Sequence, residues 1–281
     1  MNIKGKSNNS TIRNLVIFTF LVVALGWFGR VLDTLMGSPS PQESTGMLLW
    51  LIAPFGVSLL LRAFAGDGWK DLGIKPAIKG NVLWYLISIF IYPIIAMLTL
   101  VTGLMSGAVS FLDFSSEKVP LFIQAFVFLL ATTFFKCIFE EFAFRGYLAP
   151  KVYKLRLNPF AGHLVVGFIW GIWHLPYLAV ITTYTTQRLS ILIPLFLLGT
   201  IAASIVYGEI RLLTNSVWPA VIMHTIGGAF IGALLLQDFI VISSRAEFLI
   251  SPALEGVMTI ALFTLIGVGI YVLRRKREES S

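Results

Sequence analysis

A chain of 281 residues with 57% hydrophobic and only 12% charged side chains has a mean hydropathy of +0.86. Soluble globular domains carry about 25% charge and about 45–50% apolar residues, so a soluble domain, a disordered chain, a collagen-like repeat and a nucleic-acid-binding arm are excluded. The net charge of +7 matters by its placement, and the single cysteine, Cys137, cannot form an intrachain disulfide.

A bilayer core needs about 20 mostly apolar residues per helix. Taken in chain order, eight segments meet or approach that length: 14–36, 47–64, 81–105, 120–147, 159–181, 190–207, 217–236 and 252–273. The first is longer than the apolar region of a signal peptide, and further spans follow it, so it reads as a retained helix. With the first residues inside, the inner segments hold Lys4, Lys6 and Arg13, then Arg62, Lys70, Lys75 and Lys79, then Arg145, Lys151, Lys154 and Arg156, then Arg211, then Arg274, Arg275, Lys276 and Arg277. The outer loops hold only Lys118, Arg188 and Arg245. This asymmetry fits the positive-inside rule and would collapse if one span had been miscounted early.

The prediction is therefore an all-α polytopic membrane helix bundle of about eight transmembrane helices, both termini cytoplasmic, in the cell membrane. Residues 1–281 read as one integral membrane domain, since no loop is long enough for a soluble one. The basic run 274–277 reads as a stop-transfer and anionic-lipid anchor rather than a nucleic-acid contact.

Charged side chains within a span cost about 2.5–3.5 kcal/mol each on insertion scales and mark function by default. The fourth segment carries Lys136, Glu140, Glu141 and Arg145, and helical spacing pairs Lys136 with Glu140 and Glu141 with Arg145. Structural ion pairs account well for Glu141 and Arg145, but a stretch selected only for stability would leave position 140 apolar. His174 in the fifth segment and His224 in the seventh are each more often helix–helix hydrogen-bond partners than catalysts. Together with the glutamates they point to a shared inward-facing site, which Gly167, Gly171, Gly227 and Gly228 allow by close helix approach. His163, three turns before His174, lies near the inner interface and takes a structural role.

A carboxylate and an imidazole activate water while a second imidazole polarises a carbonyl. The same set matches a His₂Glu zinc site with an open position, although no His-Glu-x-x-His helix is present. Serine, aspartyl and nucleotide-driven chemistry lack their motifs. A proton-coupled transporter would show inverted repeats, and none is visible.

Glu140-Glu141-x-x-x-Arg145, then Trp170-x-x-x-His174, then His224 after Trp218-Pro219, resembles the CPBP family of type II CAAX prenyl endopeptidases and bacteriocin-immunity (Abi-type) proteins, which are intramembrane glutamic proteases. The run Asp71-Leu72-Gly73-Ile74-Lys75-Pro76 is similar to a segment of its bacterial members. The likeness concentrates in residues 120–236, the expected catalytic core. It implies that Glu140 is the general base, assisted by His174, that Glu141 orients the site through Arg145, and that His224 stabilises the oxyanion. No cofactor is implied, and the implied partners are the lipid bilayer and a membrane-associated peptide or prenylated protein, cut near the cytoplasmic face.

Two positions depart from the family pattern. Trp170 stands where Phe is usual, a mild change. Gly228 stands where the family has Asn or Asp, an oxyanion donor whose loss costs about 10²–10³-fold in rate. Thr225 is a conceivable substitute on a different side of the helix. The alternative is thus a catalytically weakened immunity or partner-binding protein of the same family.

Overall fold

The computed structural model describes residues 3–37, 43–111, 115–116, 118–236 and 239–279. Among them, eight helices are long and apolar enough to cross a membrane, and the chain is a multi-pass membrane protein. The α-helices in chain order are α1 (Ile3–Leu35), α2 (Thr45–Phe64), α3 (Val82–Met105), α4 (Lys118–Ala143), α5 (Ala149–Lys154), α6 (Pro159–His174), α7 (Leu178–Ile181), α8 (Leu189–Thr214), α9 (Trp218–Leu236), α10 (Glu247–Ile250) and α11 (Val257–Glu279), and all but the single turn α10 belong to one of the eight spans. A π-turn at Phe144–Leu148 joins α4 to α5, and a 3₁₀ turn at Leu175–Tyr177 joins α6 to α7, so each pair forms one span.

Several boundaries differ from the sequence reading: α1 starts at Ile3 rather than near 14, the fourth span continues through the π-turn to Lys154 rather than 147, and two others have a visible cause. α8 continues to Thr214 because its charged last turns are paired inside the protein: Glu209 accepts from Arg274 Nε at 2.6 Å and meets His163 Nε2 at 2.7 Å. The last span begins at Val257 rather than near 252, because Ser251 and Glu255 are tied to each other and to Tyr184 before the helix starts. One small feature was not foreseen. Val109–Phe111 and Ile240–Ile242 form an antiparallel two-stranded ribbon beyond the helix ends.

Phe20, Phe64, Phe128 and Leu265 face outward, whereas Trp50, Trp170, Trp173 and Tyr207 are buried. That distribution suits a lipid solvent, which exerts little hydrophobic drive between helices and leaves close packing through small residues to hold them. A Cβ on Gly29 of α1 would lie 2.5 Å from the Gly46 carbonyl oxygen of α2. Gly167 and Gly171 press α6 against Ile201 and Thr200 of α8, and Gly227 sets α9 on the Tyr92 ring of α3.

The basic end of the bundle is closed by a knot around Asp71. Its carboxylate meets Arg62 Nη1 at 2.7 Å, Lys151 Nζ at 2.9 Å and Lys154 Nζ at 2.7 Å. Arg211 donates to the Asp71 and Arg145 carbonyls, and Arg62 to that of Gly146. Gly73, at φ +73°, lies so close to the Arg211 guanidinium that a Cβ would sit 2.6 Å from Nη2, which only glycine permits. The Gly73 carbonyl accepts from Val217 N, and that of Ile74 from Trp218 Nε1. The segment 71–76 therefore fixes where α9 begins, and with it the height of His224.

Burial alone would raise the Asp71 carboxyl, but hydrogen bonds from Lys154, Arg62 and Lys151 hold it well below the usual carboxylate range. With a depressed folded value, the stabilisation is fully present above the unfolded value of about 3.9 and is lost as pH falls through the folded one. Asp71→Asn is expected to lower Tm at neutral pH, the gap to wild type narrowing as pH is taken below about 4. Thermal unfolding in detergent across that range checks it, and a gap that did not change with pH would assign the loss to packing instead.

Candidate active site

Three helices converge at mid-bundle. α4 carries Glu140 and Glu141, both fully buried. Glu140 Oε2 accepts the Trp170 indole N–H at 3.2 Å, and its Oε1 faces Lys136 Nζ at 3.4 Å. The same Oε2 lies 3.9 Å from His174 Nε2 and 4.0 Å from His224 Nδ1. Glu141 Oε1 accepts from His224 Nδ1 at 2.9 Å and from Arg145 Nη1 at 3.2 Å. The Arg145 guanidinium lies between two rings, 4.2 Å from the Trp170 centroid and 4.3 Å from that of Tyr207. Both ion pairs expected from helical spacing form, and the structure brings Glu140, Glu141, Arg145, Trp170, His174 and His224 together.

Local backbone features aim these side chains. The π-turn directly after Ala143 widens the helix, and such insertions alter the hydrogen-bond ladder at functional positions. The Arg145 and Gly146 carbonyls within it are satisfied by Arg211 and Arg62, as a buried backbone requires. α6 ends at His174, where Pro176 follows and the last carbonyls lack helical partners. His174 Nδ1 donates to the Trp170 carbonyl at 2.8 Å, so in the neutral ring Nε2 is the acceptor. Trp50 stacks on Trp173 with centroids 4.4 Å apart and donates to its carbonyl, bracing this end of α6.

A cavity of about 260 Å³ opens beside the glutamates, lined by Lys136, Thr133, Trp170, His174, His224 and Gly228, and then by Thr182, Tyr184, Ala253 and Leu254. Those last four lie at the end of the bundle opposite the basic knot. The charged side chains around Asp71 gather at the basic end, and none of them lines the cavity.

His163 lies outside the site, as read from the sequence, held by Glu209 and Tyr153. Thr225 donates to the Val221 carbonyl of its own helix, which removes it as a stand-in for position 228. Tyr207 and Tyr92, joined through their hydroxyls at 3.3 Å, were not foreseen. In the sequence they are lone aromatics within apolar runs, and nothing there announces that one of them clamps Arg145.

The donor set does not fit a bound zinc ion well. Among the described residues no group of three or more His, Cys, Asp and Glu is arranged around one point. Both histidines commit Nδ1 to protein acceptors. Both Glu140 oxygens face positive or donor groups, which a cation would have to displace.

Residues 122–230 match the family of type II CAAX prenyl endopeptidase Rce1-like proteins, and every candidate site residue lies in that span. Over 180 residues the chain is 27% identical to CAAX prenyl protease 2 of Methanococcus maripaludis, a match covering 59% of this chain and 62% of that protein. The chain thus spans about three fifths of the curated relative it matches. The matched family is the one that the motifs on α4, α6 and α9 resemble.

Proposed function

We propose that this chain is an intramembrane endopeptidase of the CAAX-processing type, with residues 120–236 as the catalytic core of a single membrane unit. One observation carries the reading: Glu140 Oε2 stands 3.9 Å from the acceptor nitrogen of His174, which lines the cavity. A water molecule between them donates one hydrogen to each and turns its lone pair toward the cavity. As its oxygen bonds to a peptide carbonyl carbon, its proton passes to Glu140. The carbonyl π-electrons move to oxygen, and collapse of the tetrahedral intermediate breaks the C–N bond as that proton is delivered to the leaving amine. Trp170 orients Glu140, while Glu141 and Arg145 orient His224 toward the developing oxyanion. No step of this route passes through a metal.

The substrate is a membrane-associated peptide or prenylated protein, in keeping with the name of the archaeal relative. Detergent-purified protein incubated with farnesylated and plain membrane peptides is expected to yield a single-site cleavage, read by mass spectrometry and unchanged by a chelator. Chelator-sensitive cleavage would replace this mechanism with a metal-dependent one. Gly228 favours one other reading, a partner-binding immunity protein, for which no peptide would be cut.

With the basic ends in the cytoplasm, the cavity opens toward the opposite compartment. In a Cys137→Ala background, exposed Thr183→Cys should react with a membrane-impermeant maleimide on intact cells, and exposed Leu157→Cys only after permeabilisation. The reverse pattern would invert the topology and put the cavity mouth in the cytoplasm.

A further inference from the structure

Hydrolysis by the proposed route needs a donor for the oxyanion, and the two histidines supply one only conditionally. His174 offers an acceptor at Nε2, because Nδ1–H is committed to the Trp170 carbonyl. His224 commits Nδ1–H to Glu141, so its Nε2 donates only when the ring is protonated. Position 228, one turn beyond His224 on the cavity wall, is glycine. A Cβ built there meets nothing within 4 Å except the Thr133 methyl at 2.9 Å, so the space belongs to the cavity rather than to a neighbouring helix.

Lys136 reaches this region from α4. It lies one turn after Thr133 on the same face and lines the same cavity as His224 and Gly228. Its side chain is 31% exposed and lines the cavity, while the carboxylate it faces is fully buried and does not. Glu140 Oε1, 3.4 Å away, is its ion-pair partner, and an ammonium has three N–H donors. A group 3.4 Å from the proposed base would meet a substrate beside the scissile carbonyl, too near it to serve a terminus several residues further on. A structural pair would be expected to be covered by packing, whereas this one borders open space.

We propose that Lys136 is a catalytic residue, its ammonium donating to the oxyanion of the tetrahedral intermediate in the space that Gly228 leaves open. This rests on the endopeptidase reading and extends it. The bound water would lie on the Oε2 side of Glu140, toward His174, and the carbonyl oxygen on the Oε1 side, toward Lys136. As negative charge leaves the carboxylate on protonation and grows on the substrate oxygen, the ammonium shifts its hydrogen bond from one to the other. Such an interaction strengthens in the transition state, which is what raises kcat. Thr133 and Gly228 keep the path between them clear.

The test compares wild type, Lys136→Met, Glu140→Gln and the triple variant Lys136→Met/Thr133→Ser/Gly228→Asn on the cleavable peptide found in the panel. Lys136→Met should lower kcat by about 10²–10³-fold with KM nearly unchanged, the range for loss of one oxyanion donor. In the triple variant the serine removes the obstructing methyl and the asparagine supplies an amide, so turnover should recover at least tenfold. A peptide aldehyde, which binds as its tetrahedral hydrate, should be held more tightly than the parent peptide by wild type, and Lys136→Met should lose that preference by about the factor lost in kcat. Wild-type turnover by Lys136→Met, or loss of turnover with the aldehyde preference intact, would overturn the proposal while the Glu140 reading stands. An active Glu140→Gln would instead overturn the endopeptidase mechanism itself. Thermal unfolding of each variant separates these outcomes from misfolding.

Discussion

Replacing Glu140 by glutamine is expected to abolish peptide hydrolysis while leaving the fold in place. General-base catalysis contributes about 10²–10⁴-fold, and an amide cannot take the proton that the attacking water must lose. Glutamine keeps the shape of the side chain and an oxygen for the Trp170 indole N–H, so the contact between α4 and α6 survives. The ion pair with Lys136 is lost, but that side chain is part-exposed at the cavity and remains solvated. A melting temperature close to wild type together with turnover reduced to background would match. Measurable cleavage that persists in the purified variant would remove Glu140 from the mechanism and direct attention to His174 as the base.

The second large effect concerns stability. Arg145→Met should destabilise the bundle by about 3–5 kcal/mol, because it leaves the buried Glu141 without its cation. His224 alone would then face that carboxylate. Lysine should recover only part of the loss: the flat guanidinium fits between the Trp170 and Tyr207 rings, and an ammonium cannot stack there while reaching Glu141. Adding Glu141→Gln to Arg145→Met should return much of the stability, since neither member is then an unpaired charge. Activity should stay low in the double variant, because there His224 loses the carboxylate that orients it. Thermal unfolding in detergent reads the series. A single variant as stable as wild type would mean that the pair contributes nothing to folding.

These two positions illustrate different degrees of legibility. Glu141 and Arg145 are four residues apart on one helix, so their pairing follows from helix geometry alone. The stacking of Arg145 between rings from α6 and α8 does not, because it depends on how those helices cross. The same holds for Tyr92 and Tyr207, which meet across 115 residues of sequence. The knot around Asp71 carries a lesson about charge counting. Arg62, Lys151, Lys154 and Arg211 count together as inner positive charges, yet here they are tied to Asp71 and to backbone carbonyls in one knot. A charge census does not distinguish a headgroup anchor from an internal tie.

What the sequence determined by itself was the membrane class, the number of crossings and the six polar side chains that meet at mid-bundle. Water and lipid act on every residue independently, so apolar length and misplaced charge are local signals that need no partner. Only the tertiary structure decided which nitrogen of each histidine is free, that Thr225 is spent on its own helix, that Lys136 borders the space left by Gly228, and toward which end the cavity opens. His174 and Thr225 each bond a carbonyl one turn back on their own helix, but the His224 contact with Glu141, the place of Lys136 beside Gly228 and the direction of the cavity depend on the relative height and rotation of helices far apart in the chain. Those are set by glycine crossings and by buried carbonyls finding donors, none of which a single segment specifies.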